Sequence, residues 1–417
     1  MKKTMKIEMA AGGCCWNEIF YAMLALPAMP HEIQDARHKL RITPGMDTNL
    51  RMEICSCEIL PELVDVRLDS PSIEEMNFFA QRLAQLSDSE AIALRGVWQQ
   101  MEKTGYLEEP VRAMDLINMT YGLETVMVAS NVTNDYELGE FVLDGELDDE
   151  LIRLSERVIE LLDMEAVGRW HRESQQGQFV GKYYVVAGDY QLHQIYDGRT
   201  LPPTEQAQPF VFRLQVAESP VDDSMENLES AEWISLPIAR DEADEIARKH
   251  CEGCIEDCFF YGFESSIPQI TAEQYGDMRN FVLLNGLAHR ITEMKPADVV
   301  KFKAVLEAEQ PKDMCAITDI ANHLREYQLE TRAGDVSQFF REYLLRQMHP
   351  CFDDRRLDTM STSYDSQKIL ERLGASVTDY GVVSGRGRQL YEMVPYEQKI
   401  EQEIAEPAEQ GMTLGGM

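Results

Sequence analysis

The chain has 417 residues, 44% of them apolar, and carries 73 Asp and Glu against 39 Lys and Arg, a formal charge of −34. Apolar content of this order supports real cores and, at about 150 residues per domain, two to three domains, which excludes a disordered acidic tail. The sign of the charge disfavours nucleic acid and anionic membrane as partners and favours basic ones, including the DNA-binding grooves of other proteins.

At the N-terminus, Lys2, Lys3 and Lys6 precede an apolar stretch with Ala10, Ala11, Cys14 and Cys15, but Glu8, Asn17 and Glu18 interrupt it. A signal-peptide core of about 7–15 apolar residues is therefore not expected. No segment approaches the roughly 18 uncharged apolar residues of a membrane span, so the chain reads as cytoplasmic. Nine cysteines, an odd number in a chain too long to need covalent staples, agree with a reducing compartment.

Leu24-Ala25-Leu26-Pro27 reads as a strand end stopped by proline, and His31 to Ala36 as a short acidic helix. Ile54 to Glu58 reads as a second strand that ends before Pro61. Apolar positions at Phe79, Leu83, Leu86, Leu94 and Val97 predict two helices broken near Ser87-Asp88. About 200–210 residues later the same landmarks return in the same order. Ile234-Ser235-Leu236-Pro237 precedes an acidic helix over Asp241 to Ile246, and Phe259 to Glu264 leads to Pro268. Asn77 to Arg82 aligns with Asn285 to Arg290 without a gap, followed by Leu287, Ile291, Met294, Phe302 and Val305 and a break at Lys295-Pro296. Asp115 to Asn118 pairs with Asp319 to Asn322, and Tyr136 to Phe141 with Asp335 to Phe340. Asp163 to Gly168 and then Phe179-Val180-Gly181 are set against Asp365 to Leu370 and then Tyr380 to Val383.

These landmarks predict a duplication: residues 1–200 as a divergent first copy, 201–395 as a second, and 396–417 as a disordered acidic, Gly- and Met-rich tail. The linker is expected in the Gly- and Pro-containing stretch from Asp197 to Pro209. Strands stopped by proline and followed by long helical periodicity predict an α+β fold with small antiparallel sheets and helical subdomains.

The charge excess is shared, with 34 acids and 18 bases in residues 1–200 and 39 acids and 21 bases in 201–417. At one charge per about 1.7 Å of duplex axis, 34 net charges match about 58 Å of DNA. Two runs concentrate it. Asp135, Glu137, Glu140, Asp144, Glu146, Asp148, Asp149 and Glu150 follow one another with no base between them. Glu218, Asp222, Asp223, Glu226, Glu229, Glu232, Asp241, Glu242, Asp244 and Glu245 are opposed only by Arg240. Taken alone, such runs are ordinarily solvated faces or loops.

His250-Cys251-x2-Cys254-x3-Cys258 alone has the character of a metal site, yet it lacks the second separated knuckle that zinc sites use, so incidental thiols are the simpler expectation. Cys55 and Cys57, two apart on a strand, are expected on one face. Ser384-Gly385-Arg386-Gly387-Arg388 does not complete a phosphate-binding loop and reads as a turn. Trp170-His171 and His193-Gln194 are isolated, and Met114, Met119 and Met127 read as core gap-fillers. No hydrolase, zinc-protease or calcium-loop motif is present, so neither catalysis nor a cofactor is expected.

The second half resembles the ArdA-type antirestriction proteins. The resemblance rests on Trp233 to Pro237 with its acidic helix, Phe263-Glu264 before Ile267-Pro268, and Leu284 to Arg290 with its two-helix unit. It covers most of 210–385 and, more faintly, 20–185. It implies elongated, acidic α+β dimers that imitate the shape and charge of duplex DNA and occupy the DNA-binding groove of type I restriction-modification enzymes, without binding nucleic acid directly. Two copies in one chain imply a fused equivalent of that dimer, or a homodimer of the longer chain. Two other readings stand beside it: an acidic adaptor of a mobile element that binds another basic partner, and a metal-binding module at Cys251, Cys254 and Cys258.

Overall fold

Period-two alternation builds the first strand. Met5, Ile7, Met9 and Ala11 are buried along one side of β1 (Met5–Gly12), with Lys6 and Gly12 exposed on the other. The computed structural model describes residues 3–12, 19–42, 50–64, 66–107, 109–188, 190–203, 210–217, 231–251, 253–276, 281–331, 370 and 374–385. The fold is mixed α+β and divides into two compact units, Met1–Ala207 and Gln208–Met417. The expected tail at 396–417, the landmark Asp335 to Phe340 and, of the landmark Asp365 to Leu370, all but Leu370 lie outside the described residues.

In the first unit β1 is the centre of an antiparallel sheet, flanked by β2 (Ile19–Leu26) and β3 (Leu50–Cys57). The segment whose apolar residues superficially resemble a signal peptide is thus the central strand, and the strand over Ile54 to Glu58 is the third rather than the second. Opposite Lys6 and Ile7 the register slips by one residue on β3, leaving Cys55 without a counterpart. That bulge corrects the shared face expected of Cys55 and Cys57: Cys55 is exposed and Cys57 is buried.

Helix α1 (Pro30–Lys39) follows the Leu-Pro stop, with its proline in the first turn, where no intrahelical N–H bond is lost. Then α2 (Ile73–Gln85) and α3 (Asp88–Lys103) meet at the expected break. Each starts with a capping box. The Ser72 and Ser87 hydroxyls accept from the N–H of Glu75 and Glu90, and those carboxylates accept from the serine N–H in return. After α4 (Ala113–Met119) comes β4 (Met127–Ser130), then α5 (Asp135–Asp144), α6 (Asp149–Ile152), α7 (Glu156–Ile159) and α8 (Met164–Gln175). A hairpin of β5 (Gln178–Val180) and β6 (Tyr183–Val186) closes a second sheet in the order β4-β6-β5. Successive side chains of β6 serve different cores. Val185 packs in the main core against α3, where Gly96 leaves the space that it occupies. Tyr184 joins Ala129, Val132, Leu138 and Val142 in a smaller core under α5. Of the three methionines expected in a core, Met119 is buried and Met114 half-buried, but Met127 is exposed at the start of β4.

The second unit follows a similar order. Strand β7 (Phe212–Ala217) is central between β8 (Glu232–Leu236) and β9 (Phe259–Ser265), with α9 (Arg240–His250) between the outer strands in sequence. Again the third strand carries one extra residue opposite the central one, between Phe260 and Phe263. Then come α10 (Ala272–Tyr275), α11 (Phe281–Glu293), α12 (Pro296–Glu309) and α13 (Met314–Asn322). The second sheet, β10 (Gln328–Glu330), β11 (Ala375–Thr378) and β12 (Gly381–Ser384), has the order β10-β12-β11 and packs on α12. Its hairpin turns at Asp379-Tyr380 and that of the first unit at Gly181-Lys182, so Phe179 stands where Val377 does and not, as expected, where Tyr380 does. Ser384, read as part of a turn, ends β12, and Arg386 to Arg388 lie outside the described residues.

Both units clamp the backbone that follows a cis Leu-Pro bond, Leu26-Pro27 or Leu236-Pro237. Asn77 Oδ1 accepts from the Ala28 N–H at 2.6 Å and its amide donates to the Ala28 carbonyl at 3.1 Å. Asn285 makes the same two bonds with Ile238, both at 3.0 Å. Five residues on, Arg82 donates to the Thr120 carbonyl at 3.1 Å and Arg290 to the Ala321 carbonyl at 3.0 Å.

Candidate partner-binding surface

The run Asp135 to Glu150 occupies α5, its C-terminal turn and the start of α6. Three of its eight carboxylates are engaged by partners within the unit. Asp135 receives both arms of Arg172, Nε at 2.6 Å and Nη2 at 3.0 Å, and this bidentate bond holds its carboxyl below the usual range. Glu137 accepts from the hydroxyl and N–H of Thr133, both at 2.7 Å, which lowers it likewise. Asp148 caps α6 by accepting from the Glu150 and Leu151 N–H groups, and its other oxygen lies 3.0 Å from His171 Nε2. The cap bond from Glu150, ahead of His171, pulls its carboxyl down.

The remaining five, Glu140, Asp144, Glu146, Asp149 and Glu150, are exposed. Tyr136, Glu140 and Asp144 form one outer stripe of α5 at four-residue spacing, and the Tyr136 hydroxyl donates to Glu140, which raises the phenol pKa. The inner side of α5 packs on α8 with almost no gap. A Cβ at Gly168 would run into the Asp135 carbonyl oxygen, and one at Gly139 into that of Met164. Two glycines thus let the helix backbones touch, which fixes where the outer stripe stands.

Large apolar side chains are also exposed between Tyr136 and Trp170. Leu161 is 84% exposed and Trp170, edge-on to His171 with ring centroids 4.8 Å apart, is 60% exposed; Tyr136, Leu147 and Ile152 are also at the surface. His171 itself is buried and bonded to Asp148, a structural role. Trp170 is thereby linked through His171 to the acidic cap of α6.

In the second run Glu218, Asp222, Asp223, Glu226 and Glu229 lie outside the described residues. Glu232, on β8, is paired with Lys249 and, at 3.2 Å, with His250 Nε2; the lysine above all holds its carboxyl low. Asp241, Glu242, Asp244 and Glu245 are exposed on α9, while Ala243, Ala247 and His250 face inward. The same helix exposes Arg240, Arg248 and Lys249, so its four acids meet three bases. Acids in the first turns and bases in the last complement the helix dipole. The charge of α9 is therefore close to balanced, a feature hidden when the run is counted only to Glu245.

The cysteine segment does not converge on a common point. Cys251 Sγ lies 2.8 Å from Cys258 Sγ, Cys254 Sγ donates to Asp257 Oδ2 at 3.2 Å, and His250 Nε2 is turned to Glu232. Burial and the neighbouring Cys251 push the Cys258 thiol up to about 12. Among the described residues no group of three or more His, Cys, Asp or Glu is placed to hold a metal ion. A cleft of about 220 Å³ beside Val97 and Met101 of α3 is lined by no carboxylate, histidine, cysteine or lysine. Among the described residues no helix is long and apolar enough to cross a membrane. No protein-family model matches the chain, and no curated protein matches its sequence.

Proposed function

We propose that this protein is an antirestriction protein of the ArdA type, built from two tandem repeats, which imitates duplex DNA in the binding groove of type I restriction-modification enzymes. The observation that carries the reading is the α5–α6 segment. Five carboxylates are exposed there without an intervening base, and two of them, Glu140 and Asp144, stand on α5, which the Gly139 and Gly168 contacts lock against α8. Charges already held in position lose little freedom when a basic groove closes over them. The excess is also evenly shared: 35 acids and 18 bases in 1–207, and 38 and 21 in 208–417, leave −17 in each unit.

Duplication is supported by the matching strand orders, the extra residue on the third strand of each first sheet, and the Asn77 and Asn285 clamps. Action is by stoichiometric occupancy, with no chemistry and no cofactor. The test is competition: the purified protein is titrated against labelled duplex DNA bound to a type I methyltransferase core at low salt. Displacement near one equivalent per groove is expected, and DNA that stays bound refutes the proposal.

One observation favours a second reading, an acidic adaptor that binds another basic protein. Leu161 and Trp170 are exposed, Trp170 beside the His171 that bonds Asp148, and large apolar side chains suit a partner with apolar pockets better than a groove shaped for phosphates. Plasmid transfer into a restricting strain separates the two. Antirestriction predicts higher transfer efficiency when the protein is present, and the adaptor reading predicts no change.

A further inference from the structure

The segment joining α9 to β9 brings two thiols together. Cys251 caps the C-terminus of α9, its N–H bonded to the Ala247 carbonyl at 2.8 Å. A short turn over Ile255–Asp257 then folds the chain back, with the Cys258 N–H donating to the Ile255 carbonyl at 3.2 Å. The result is a separation of 2.8 Å between Cys251 Sγ and Cys258 Sγ, within reach of the roughly 2.0 Å of a disulfide bond. The third thiol of the segment, Cys254, is turned to Asp257. A zinc reading does not fit, because His250 Nε2 and Cys254 Sγ are both engaged away from the pair.

We propose that Cys251 and Cys258 are a reversible dithiol–disulfide pair, closed by small-molecule disulfides such as oxidised glutathione. Cys251, half-buried, is the first to react, since Cys258 is buried and burial keeps its proton on. The Cys251 thiolate attacks one sulfur of oxidised glutathione, forming a mixed disulfide and releasing one glutathione thiolate. Cys258 gives its proton to that thiolate and attacks Cys251 Sγ, which forms the internal bond and expels the second glutathione thiolate. Two protein thiols are oxidised, one glutathione disulfide is reduced to two thiols, and the second expelled thiolate takes up the proton first lost by Cys251. The closed bond ties the last turn of α9 to the start of β9. This assignment does not depend on the antirestriction reading.

Glu252 and Glu256 separate the three cysteines in sequence, so a protease that cleaves after glutamate places each on its own peptide. The full chain is incubated with excess oxidised glutathione, free thiols are alkylated, and the digest is analysed without reduction. The expected product is a Cys251 peptide joined to a Cys258 peptide, lighter than the two alone by two hydrogens and separated again by dithiothreitol, with Cys254 alkylated. In Cys258→Ser, Cys251 should instead remain as the mixed disulfide with glutathione. A Cys251–Cys254 link, or full alkylation of Cys251 and Cys258 after the oxidant, overturns the assignment. So does modification confined to the exposed Cys55 and Cys315.

Discussion

Single polar side chains hold the points where the chain changes direction. Asn77 is buried and satisfies both backbone groups of Ala28, so Asn77→Ala strands a buried N–H and a buried carbonyl at once. A loss of about 2–4 kcal/mol is expected, read by urea unfolding. Asn285→Ala should cost less, because Asn285 is only half-buried. Asp135 adds a pH dependence whose sign follows from the direction of its shift. Its folded carboxyl sits below the ordinary value of about 3.9, so its bond to Arg172 contributes fully above that value and is lost as pH falls through the depressed one. Wild type should therefore melt higher than Asp135→Asn at pH 6, by roughly 1–2 kcal/mol of stability, with the gap closing towards pH 2. A gap that stays constant across that range contradicts the assignment.

Helices and strands were legible where their signals are local. The break at Ser87-Asp88, the Leu-Pro stops and the ungapped match of Asn77 to Arg82 with Asn285 to Arg290 mark real boundaries and shared contacts. The central strands were missed although their alternation is plain, Met5-Ile7-Met9 in one unit and Phe212-Leu214-Val216 in the other, because an apolar N-terminal run also suits other roles. The bulge at Cys55 had no local signal, since only the partner strand defines an extra residue. In the acidic run, composition did not distinguish Asp135, Glu137 and Asp148 from their neighbours. Arg172 and His171, the partners of Asp135 and Asp148, arrive from α8, while Glu137 is taken up by Thr133 just ahead of α5, and the closest contact of α5 with α8 rests on two glycines. That contact is testable as a unit. Gly168→Ala must push α8 off the Asp135 carbonyl, a cost of about 1–3 kcal/mol, and hydrogen exchange should speed up in α5 and α8 first. Gly286→Ala is the control. A Cβ there meets nothing within 4 Å on an exposed helix position, so stability should rise by up to about 1 kcal/mol.

Across the whole chain the question is whether −34 acts as a surface or merely as a sum. On α9 and β8 together, Glu232, Asp241, Glu242, Asp244 and Glu245 meet Arg240, Arg248 and Lys249, the last paired with Glu232, so that region is largely offset. The α5–α6 segment is different, because nothing in Asp135 to Glu150 is basic and five of its carboxylates face water. If distributed charge drives binding, removing one carboxylate should matter little and removing all five should matter greatly. Single changes at Glu140, Asp144, Glu146, Asp149 or Glu150 to the matching amide should therefore alter competition with DNA by no more than about twofold. The five together take the first unit from −17 to −12 and should weaken competition by at least about tenfold at low salt. The melting temperature should not fall, since among the described residues none of the five caps a helix or pairs with a base. Raising salt towards about 0.5 M should bring wild type and variant together, as screening removes what the substitutions removed. Equal competition by the two at low salt would place the binding surface elsewhere, and a gap that persists at high salt would mean that shape and apolar contact, through side chains such as Trp170 and Leu161, outweigh charge.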